Sequence, residues 1–129
     1  MDNTSDFGEV ISSYTRGQAI EDGVLVDLTP LAQEAGFRYP VAVTRSVWEI
    51  LSPGDELRAQ GQSLDGRAWD LFMILRFALR ESKDRSFVSF SPMFVQAPGA
   101  LAKAVQLHAV CGPGDDAAPV VTIMLPGED

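Results

Sequence analysis

The sequence has almost no cysteine or histidine: Cys111 and His108 are the only residues of each type. A single cysteine excludes an internal disulfide, and one histidine with one cysteine falls short of the four ligands of a structural zinc site. The two residues are three positions apart, so in a strand their side chains point to opposite faces and do not form a catalytic pair. We therefore expect no metal site, no cysteine nucleophile and no cofactor.

Long apolar runs are missing as well. No run approaches the ~20 residues that a membrane-spanning helix needs. Residues 1–6 are polar and acidic, unlike a secretory signal. Together with the shortage of cysteine, these features predict a cytoplasmic protein without a membrane partner. The sequence contains no internal repeat and no low-complexity tract, and its 129 residues suit one domain.

Basic residues are few, and the net charge is -8. Residues 1–66 hold 11 acidic and four basic residues, whereas residues 67–129 hold seven acidic and six basic ones. Non-specific binding to nucleic acid needs a basic surface, so we do not expect direct nucleic-acid binding. The acidic half suits a basic protein partner, or serves solubility alone. The one basic stretch suits a helix C-terminus, with a nucleic-acid patch as the alternative; it comprises Arg76, Arg80, Lys83 and Arg85.

The segment 67–82 is the longest that is both free of glycine and proline and rich in apolar residues. At 3.6 residues per turn it predicts a helix with one continuous apolar face. That face consists of Ala68, Leu71, Phe72, Leu75, Ala78 and Leu79. Met73, Ile74 and Phe77 make a second side apolar, which predicts a central helix covered by more than one other element.

Three short helices are predicted before the central one, each opened by a threonine that can cap a helix N-terminus: Thr15, Thr29 and Thr44. Short extended segments separate these helices, and residues 54–66 are expected to form a surface loop.

After residue 86 the apolar period falls to about two, which predicts strands over 87–95, 103–111 and 120–125. We expect these strands to form a C-terminal three-stranded antiparallel sheet packed with one face on the central helix. Pro92 cannot donate a ladder hydrogen bond and predicts an edge strand or a bulge. The fold class is therefore α+β. A flexible N-terminus is predicted over 1–8, and a single domain that begins with a short strand at 10–11 is predicted over 9–129.

The most site-like set contains Tyr14, Arg16, Arg45, Trp48, Trp69 and Arg76. Arg16 and Arg45 each follow a capping threonine, and the N–H groups of a helix start beside a guanidinium can hold an anion. If both helix starts open on the same side, they frame a pocket with Trp48 and Trp69. The alternative is ordinary capping with exposed arginines and buried tryptophans. Asp115 and Asp116 offer oxygen ligands to a divalent cation, or simply form a turn.

Two parts of the chain resemble one small bacterial family. The matching segments are YTR (14–16), AIEDGVLVD (19–27), AGF (35–37), PVAVTR (40–45), Trp48, LHAVCGPGDD (107–116) and TIMLP (122–126). The resemblance implies a family of small, acidic, uncharacterised proteins encoded on plasmids, integrated elements and phages, often among anti-restriction and transfer genes. It supplies no catalytic residues.

Three hypotheses about function follow. The leading one is a non-enzymatic accessory protein of a mobile genetic element that binds another macromolecule, with a protein as the expected partner. One form is an inhibitor of a host defence protein. The alternative is a small enzyme or ligand-binding protein with an anion pocket near Arg16, Arg45 and Trp48, which a deep apolar pocket with convergent arginines would favour. The third is self-assembly through an edge strand near Pro92.

Overall fold

The computed structural model describes residues 14–128. The flexible N-terminus predicted over 1–8 and the strand predicted at 10–11 lie outside the described residues. The fold is mixed α+β, as predicted. In chain order its elements are α1 (Arg16–Glu21), β1 (Leu25–Asp27), α2 (Thr29–Glu34), β2 (Val41–Thr44), α3 (Arg45–Leu51), α4 (Asp55–Ala59), α5 (Leu64–Glu81), β3 (Phe87–Phe90), β4 (Met93–Phe94), β5 (Lys103–Ala104), β6 (Leu107–Pro113) and β7 (Pro119–Met124).

The main sheet has five strands in the order β1-β2-β7-β6-β3. The predicted C-terminal strands supply β3, β6 and β7, which pair antiparallel as expected. The predicted three-stranded sheet is matched only in part, because these strands belong to a larger sheet in which β2 pairs parallel with β7 and carries β1 on its other edge. The parallel pair aligns Val41 with Val121. No local pattern signals such a pairing between segments so distant in sequence.

Two of the predicted strands are each divided in two. The predicted strand over 87–95 breaks before Pro92, and Met93–Phe94 pairs instead with Lys103–Ala104 in a separate two-stranded ribbon. The N–H of Val105 donates to the carbonyl of Pro92 at 2.9 Å, beside this ribbon. Proline lacks an N–H group, so the ladder of β3 cannot continue through it.

The longest helix, α5, buries one face as predicted, with Ala68, Leu71, Phe72 and Leu75 among the buried residues of the hydrophobic core. It was not predicted that the helix would begin as early as Leu64, after Ser63 as N-cap. The expectation that more than one element covers this helix is confirmed, since α2, α3 and β3 all contact it. Its second apolar side is not covered in the same way, since Phe77 is 61% exposed.

The predicted loop over 54–66 was also wrong, because it contains α4 and the start of α5. Leu57 anchors α4 in the protein interior. Thr15 and Thr44 cap their helices as predicted, and the hydroxyl of Thr15 accepts a 3.0 Å hydrogen bond from the N–H of Gln18. Thr29 is instead the first helical residue of α2, and its hydroxyl accepts a hydrogen bond from the N–H of Val41 at 3.1 Å.

The core face of the sheet follows the two-residue period of its strands. Val41 and Val43 of β2, and Ile123 of β7, are fully buried on it. Among residues 14–128, no helix has both the length and the apolar content that crossing a bilayer requires.

Candidate functional site

A cleft of about 410 Å³ opens where the C-terminal half of α5 lies beside the segment between α2 and β2. This volume is within the range of ~300–1,000 Å³ that is usual for small-molecule sites. Charged residues form its rim and apolar residues form its floor. We call it the arginine cleft; its lining residues are Gly36, Phe37, Arg38, Tyr39, Arg76, Leu79, Arg80, Arg85, Ala109, Cys111 and Val121.

The floor is built by the strand period. Ala109 and Cys111 are two positions apart on β6, so both side chains face the cleft. Val121 of β7 pairs directly with Cys111 and continues the same apolar surface. Because alanine and cysteine are small, they leave depth between the sheet and α5. The ring of Phe37 forms a wall and is held by the ring of Phe72, with centroids 5.5 Å apart.

The rim carries four arginines from three parts of the chain. Arg76 and Arg80 are one turn apart on α5 and therefore share a side of the helix. Arg85 follows α5, and Arg38 comes from the segment between α2 and β2. No acidic residue lines the cleft within the described part of the chain. In a chain with a net charge of -8, this is a local concentration of positive charge.

Arg76 is the rim arginine with a fixed position. Its Nη1 donates a 3.0 Å hydrogen bond to the carbonyl of Ala35, at the end of α2. Gly36 has φ +100°, and a Cβ placed there would lie 3.2 Å from this nitrogen. A glycine at this position therefore supplies both the unusual backbone conformation and the room for the guanidinium.

Within residues 14–128, the other three rim arginines have no ion-pair or hydrogen-bond partner. Between residues 14 and 128, the ion pairs join Arg45 to Glu49 and Arg58 to Asp55, outside the cleft. The guanidiniums of Arg38, Arg80 and Arg85 make no hydrogen bond to any described residue. No described residue therefore neutralises these three cationic groups.

The helix start at Arg16, predicted to hold an anion, holds a carboxylate of the protein itself. Asp115, in the loop between β6 and β7, accepts 2.9 Å hydrogen bonds from the backbone N–H groups of Arg16 and Gly17. These bonds, first that from Gly17 and then that from Arg16, lower the pKa of Asp115 below its usual value. The physical expectation of a carboxylate at a helix start holds, but the anion is internal.

The side chain of Arg16 turns onto the sheet and is half-buried. Its Nη1 donates to the hydroxyl of Thr122 at 2.6 Å, and its Nη2 donates to the carbonyl of Val121 at 2.8 Å. Burial lowers the pKa of this guanidinium, although nearby carboxylates oppose the shift. Arg16 thus ties α1 to β7.

The remaining residues of the predicted set have separate environments. Arg45 is exposed and lies 3.8 Å from the carboxylate of Glu49 in an ion pair. Trp48 packs against the core, and Trp69 is 42% exposed on α5. The hydroxyl of Tyr14 donates a 2.8 Å hydrogen bond to Asp22, which raises the pKa of the phenol.

Of the six residues in that set, only Arg76 lines the arginine cleft. The basic stretch in the sequence did mark Arg80 and Arg85, but as a helix terminus or a nucleic-acid patch. Arg38 and Phe37 had no sequence signal, because their place in the cleft depends on how the segment after α2 meets α5.

His108 and the aspartates of the β6–β7 loop lie outside the cleft. The ring of His108 contacts that of Phe87, with centroids 4.7 Å apart, whereas Cys111 lines the cleft from the other face of β6. Asp116 accepts a 3.2 Å hydrogen bond from the N–H of Ala118 within the loop. Among the described residues, no three or more His, Cys, Asp or Glu side chains are grouped so that they could hold a metal ion.

Comparison of the sequence with protein-family models gives a family assignment. A model described as a family of unknown function, DUF6573, matches residues 1–129. No curated protein and no solved structure matches the chain.

Proposed function

We propose that this chain, which belongs to the family of unknown function DUF6573, is a binding protein whose arginine cleft receives an organic anion. The observation that carries the proposal is the lining of the cleft, where the described residues place four arginines and no acidic residue around an apolar floor. This arrangement suits a ligand with a negatively charged group at one end and an apolar body at the other.

The chemistry of the lining supports binding in preference to catalysis. A guanidinium remains protonated in proteins, so it does not donate or remove protons during a reaction. Its planar fork of N–H donors matches the oxygens of carboxylates and phosphates. Arginine is therefore suited to holding an anion in a fixed orientation.

Cys111 provides a direct test, because it lines the cleft and is the only cysteine in the sequence. We expect benzoate and naphthalene-2-sulfonate to slow the alkylation of Cys111 by iodoacetamide, measured by intact-protein mass spectrometry. Protection should weaken about tenfold in Arg80→Gln, since one charge-assisted hydrogen bond is worth ~1.5–3 kcal/mol. Arg58→Gln is the matched control, because Arg58 lies on α4 outside the cleft. Equal alkylation rates with and without every anion would refute the proposal.

A second candidate function is supported by the exposed side of α5. Trp69 and Phe77 are exposed, and Met73 lies between them at the helical spacing that places all three on one stripe. An exposed aromatic stripe on a helix suits contact with a protein partner. This would be the role of a cytoplasmic accessory protein of a mobile element that binds a protein, such as a host defence protein. The mobile-element setting rests on the family resemblance alone.

The test of the second candidate is a pull-down with tagged protein from a host that carries such an element. We expect one partner at a 1:1 ratio, lost with Phe77→Ser. The control is Leu101→Ser, which removes an apolar side chain that is 86% exposed outside α5. A partner retained equally by both variants would exclude the α5 stripe as its binding surface.

A further inference from the structure

We infer that the ligand of the arginine cleft is a phosphate monoester carried by a molecule with an aromatic ring. This inference rests on the proposed function of the cleft and specifies the anion that it receives. It is drawn from three features of the lining, namely its charge, the directions of its donors and the shape of its floor.

The first feature is charge. Arg38, Arg80 and Arg85 have no ionic partner among residues 14–128, and the cleft lining contains no carboxylate. A monoanion would leave most of this positive charge unbalanced. A phosphate monoester carries a charge of about -1.5 to -2 at pH 7, because its second pKa is ≈ 6. Among common anionic groups it is therefore a good match to the rim.

The second feature is the direction from which the donors come. Arg80 projects from α5, Arg85 from the segment after α5, and Arg38 from the segment between α2 and β2. A phosphate monoester presents three terminal oxygens around one phosphorus atom, whereas a carboxylate presents two oxygens in one plane. Donors that come from three segments are better matched by three oxygens around one atom than by two oxygens in one plane.

The third feature is the floor. Ala109 and Cys111 leave depth next to the wall formed by Phe37, and Tyr39 lies at the edge of the same cleft. An aromatic ring in this space would contact Phe37 or Tyr39 by edge or by offset face, and arginine can stack on its face. A flexible aliphatic chain would gain none of these contacts.

The first experiment compares anionic groups on the same ring by isothermal titration calorimetry at pH 7.5. We expect phenyl phosphate to bind at least tenfold more tightly than phenyl sulfate, which carries one negative charge. We also expect it to bind at least tenfold more tightly than inorganic phosphate, which lacks the ring. Lowering the pH from 7.5 to 5.5 should weaken the binding of phenyl phosphate, since this ligand becomes a monoanion below pH ≈ 6. The binding of phenyl sulfate should not change.

Variants locate the binding. Arg85→Gln should weaken the binding of phenyl phosphate about tenfold or more. Arg45→Gln, at an exposed arginine outside the cleft, should leave this affinity unchanged. Cys111→Met fills part of the floor, where the ring is expected to lie. It should weaken the binding of phenyl phosphate but not that of inorganic phosphate. A thermal melt of each variant establishes that it is folded, and the ligand series on the unmodified protein tests the inference without any variant.

The outcomes separate the inference from the proposed function. If benzoate or phenyl sulfate binds as tightly as phenyl phosphate, and Arg85→Gln weakens each of them, the inference is wrong and the proposed function stands. If no anion binds in a manner that depends on Arg80 or Arg85, both are wrong.

A further comparison uses adenosine 5′-monophosphate and O-phosphotyrosine, which distinguish a nucleotide from a phosphorylated side chain as the ligand. Failure of both to bind more tightly than inorganic phosphate would also overturn the inference.

Discussion

The guanidinium of Arg67 donates a 2.7 Å hydrogen bond from Nη2 to the carbonyl oxygen of Ile50, in the last turn of α3. Its Nη1 donates to the carbonyl of Val95 at 2.8 Å, and its Cζ lies 4.8 Å from the centroid of the Phe94 ring. Arg67 is only 5% exposed. It therefore connects α5 to α3 and to the segment that follows β4, and serves the fold.

Replacing Arg67 by methionine should destabilise the protein by about 2–4 kcal/mol. Methionine fills similar space, but the carbonyls of Ile50 and Val95 would lose their charged donor, and an unpaired buried acceptor costs ~1–3 kcal/mol. Urea denaturation monitored by circular dichroism measures the difference. Arg58→Met, at an exposed arginine of α4, should change stability by less than ~0.5 kcal/mol. Equal stability of the Arg67 variant and the parent would show that those carbonyls find other partners.

Two glycines that follow helices allow backbone strain to be separated from crowding. Gly36 follows α2 with φ +100°, and Gly61 follows α4 with φ +95°. A Cβ at Gly61 meets no atom within 4 Å, whereas a Cβ at Gly36 would crowd Arg76. Gly61→Ala should cost about 1 kcal/mol through the left-handed conformation alone. Gly36→Ala should cost more, about 2 kcal/mol, because the guanidinium must also move.

Thermal melts of the two glycine variants provide the measurement. A displaced Arg76 should also reduce the protection of Cys111 by anions in Gly36→Ala and leave it unchanged in Gly61→Ala. Equal destabilisation by the two substitutions would mean that Arg76 accommodates the methyl group freely.

How much could be predicted depended on whether the determining interactions were local. The buried face of α5 and the cap at Thr15 follow from periodicity and side-chain type within a few residues, and both were predicted. The parallel pairing of β2 with β7 joins segments about 80 residues apart, and no local pattern indicates it. Phe77 shows a further limit, because an apolar side chain at helical spacing does not reveal whether another element covers it.

The candidate site followed the same rule. Arg76 was singled out, and Arg80 and Arg85 were noted as a basic stretch, since all three lie within or just after one helix. Their contribution to a cleft depends on Arg38 and on the floor of β6, which only the tertiary fold brings to them. The expectation that the helix start at Arg16 suits a negatively charged group holds. That the group would be the carboxylate of Asp115 was not predicted, because Asp115 is about 100 positions away.

Substitutions of Arg16 and Arg45 should differ in their effect on the stability of the protein, although both residues follow a capping threonine. Arg16→Gln should cost about 1–2 kcal/mol, because it removes charged hydrogen bonds to Thr122 and Val121 that are partly shielded from water. Arg45→Gln should cost less than ~0.5 kcal/mol, because its ion pair with Glu49 is exposed. Urea midpoints of the two single variants test this contrast, and equal midpoints would contradict a structural role for Arg16.

The hydrogen bonds that Asp115 accepts from the start of α1 should make the stability of the protein depend on pH. The hydrogen bonds from Gly17 and Arg16 lower the folded-state pKa of Asp115 below its ordinary value of 3.8. At pH values between the folded and unfolded pKa, the unfolded chain binds more protons, so stability rises with pH. The contribution of Asp115 is therefore complete above the unfolded-state pKa and is lost as the pH falls through the folded-state pKa.

The test compares the urea midpoints of the parent and Asp115→Asn from pH 7 to pH 3. Their difference should be constant above about pH 5 and should shrink as the pH falls below about 4, where Asp115 of the unfolded parent chain takes up a proton. Asp116→Asn is the matched control, because among the described residues the neighbouring carboxylate accepts only the N–H of Ala118, within its own loop. It should change the midpoint less at neutral pH. A difference between parent and Asp115→Asn that persists unchanged at pH 3 would mean that Asp115 holds α1 without its charge.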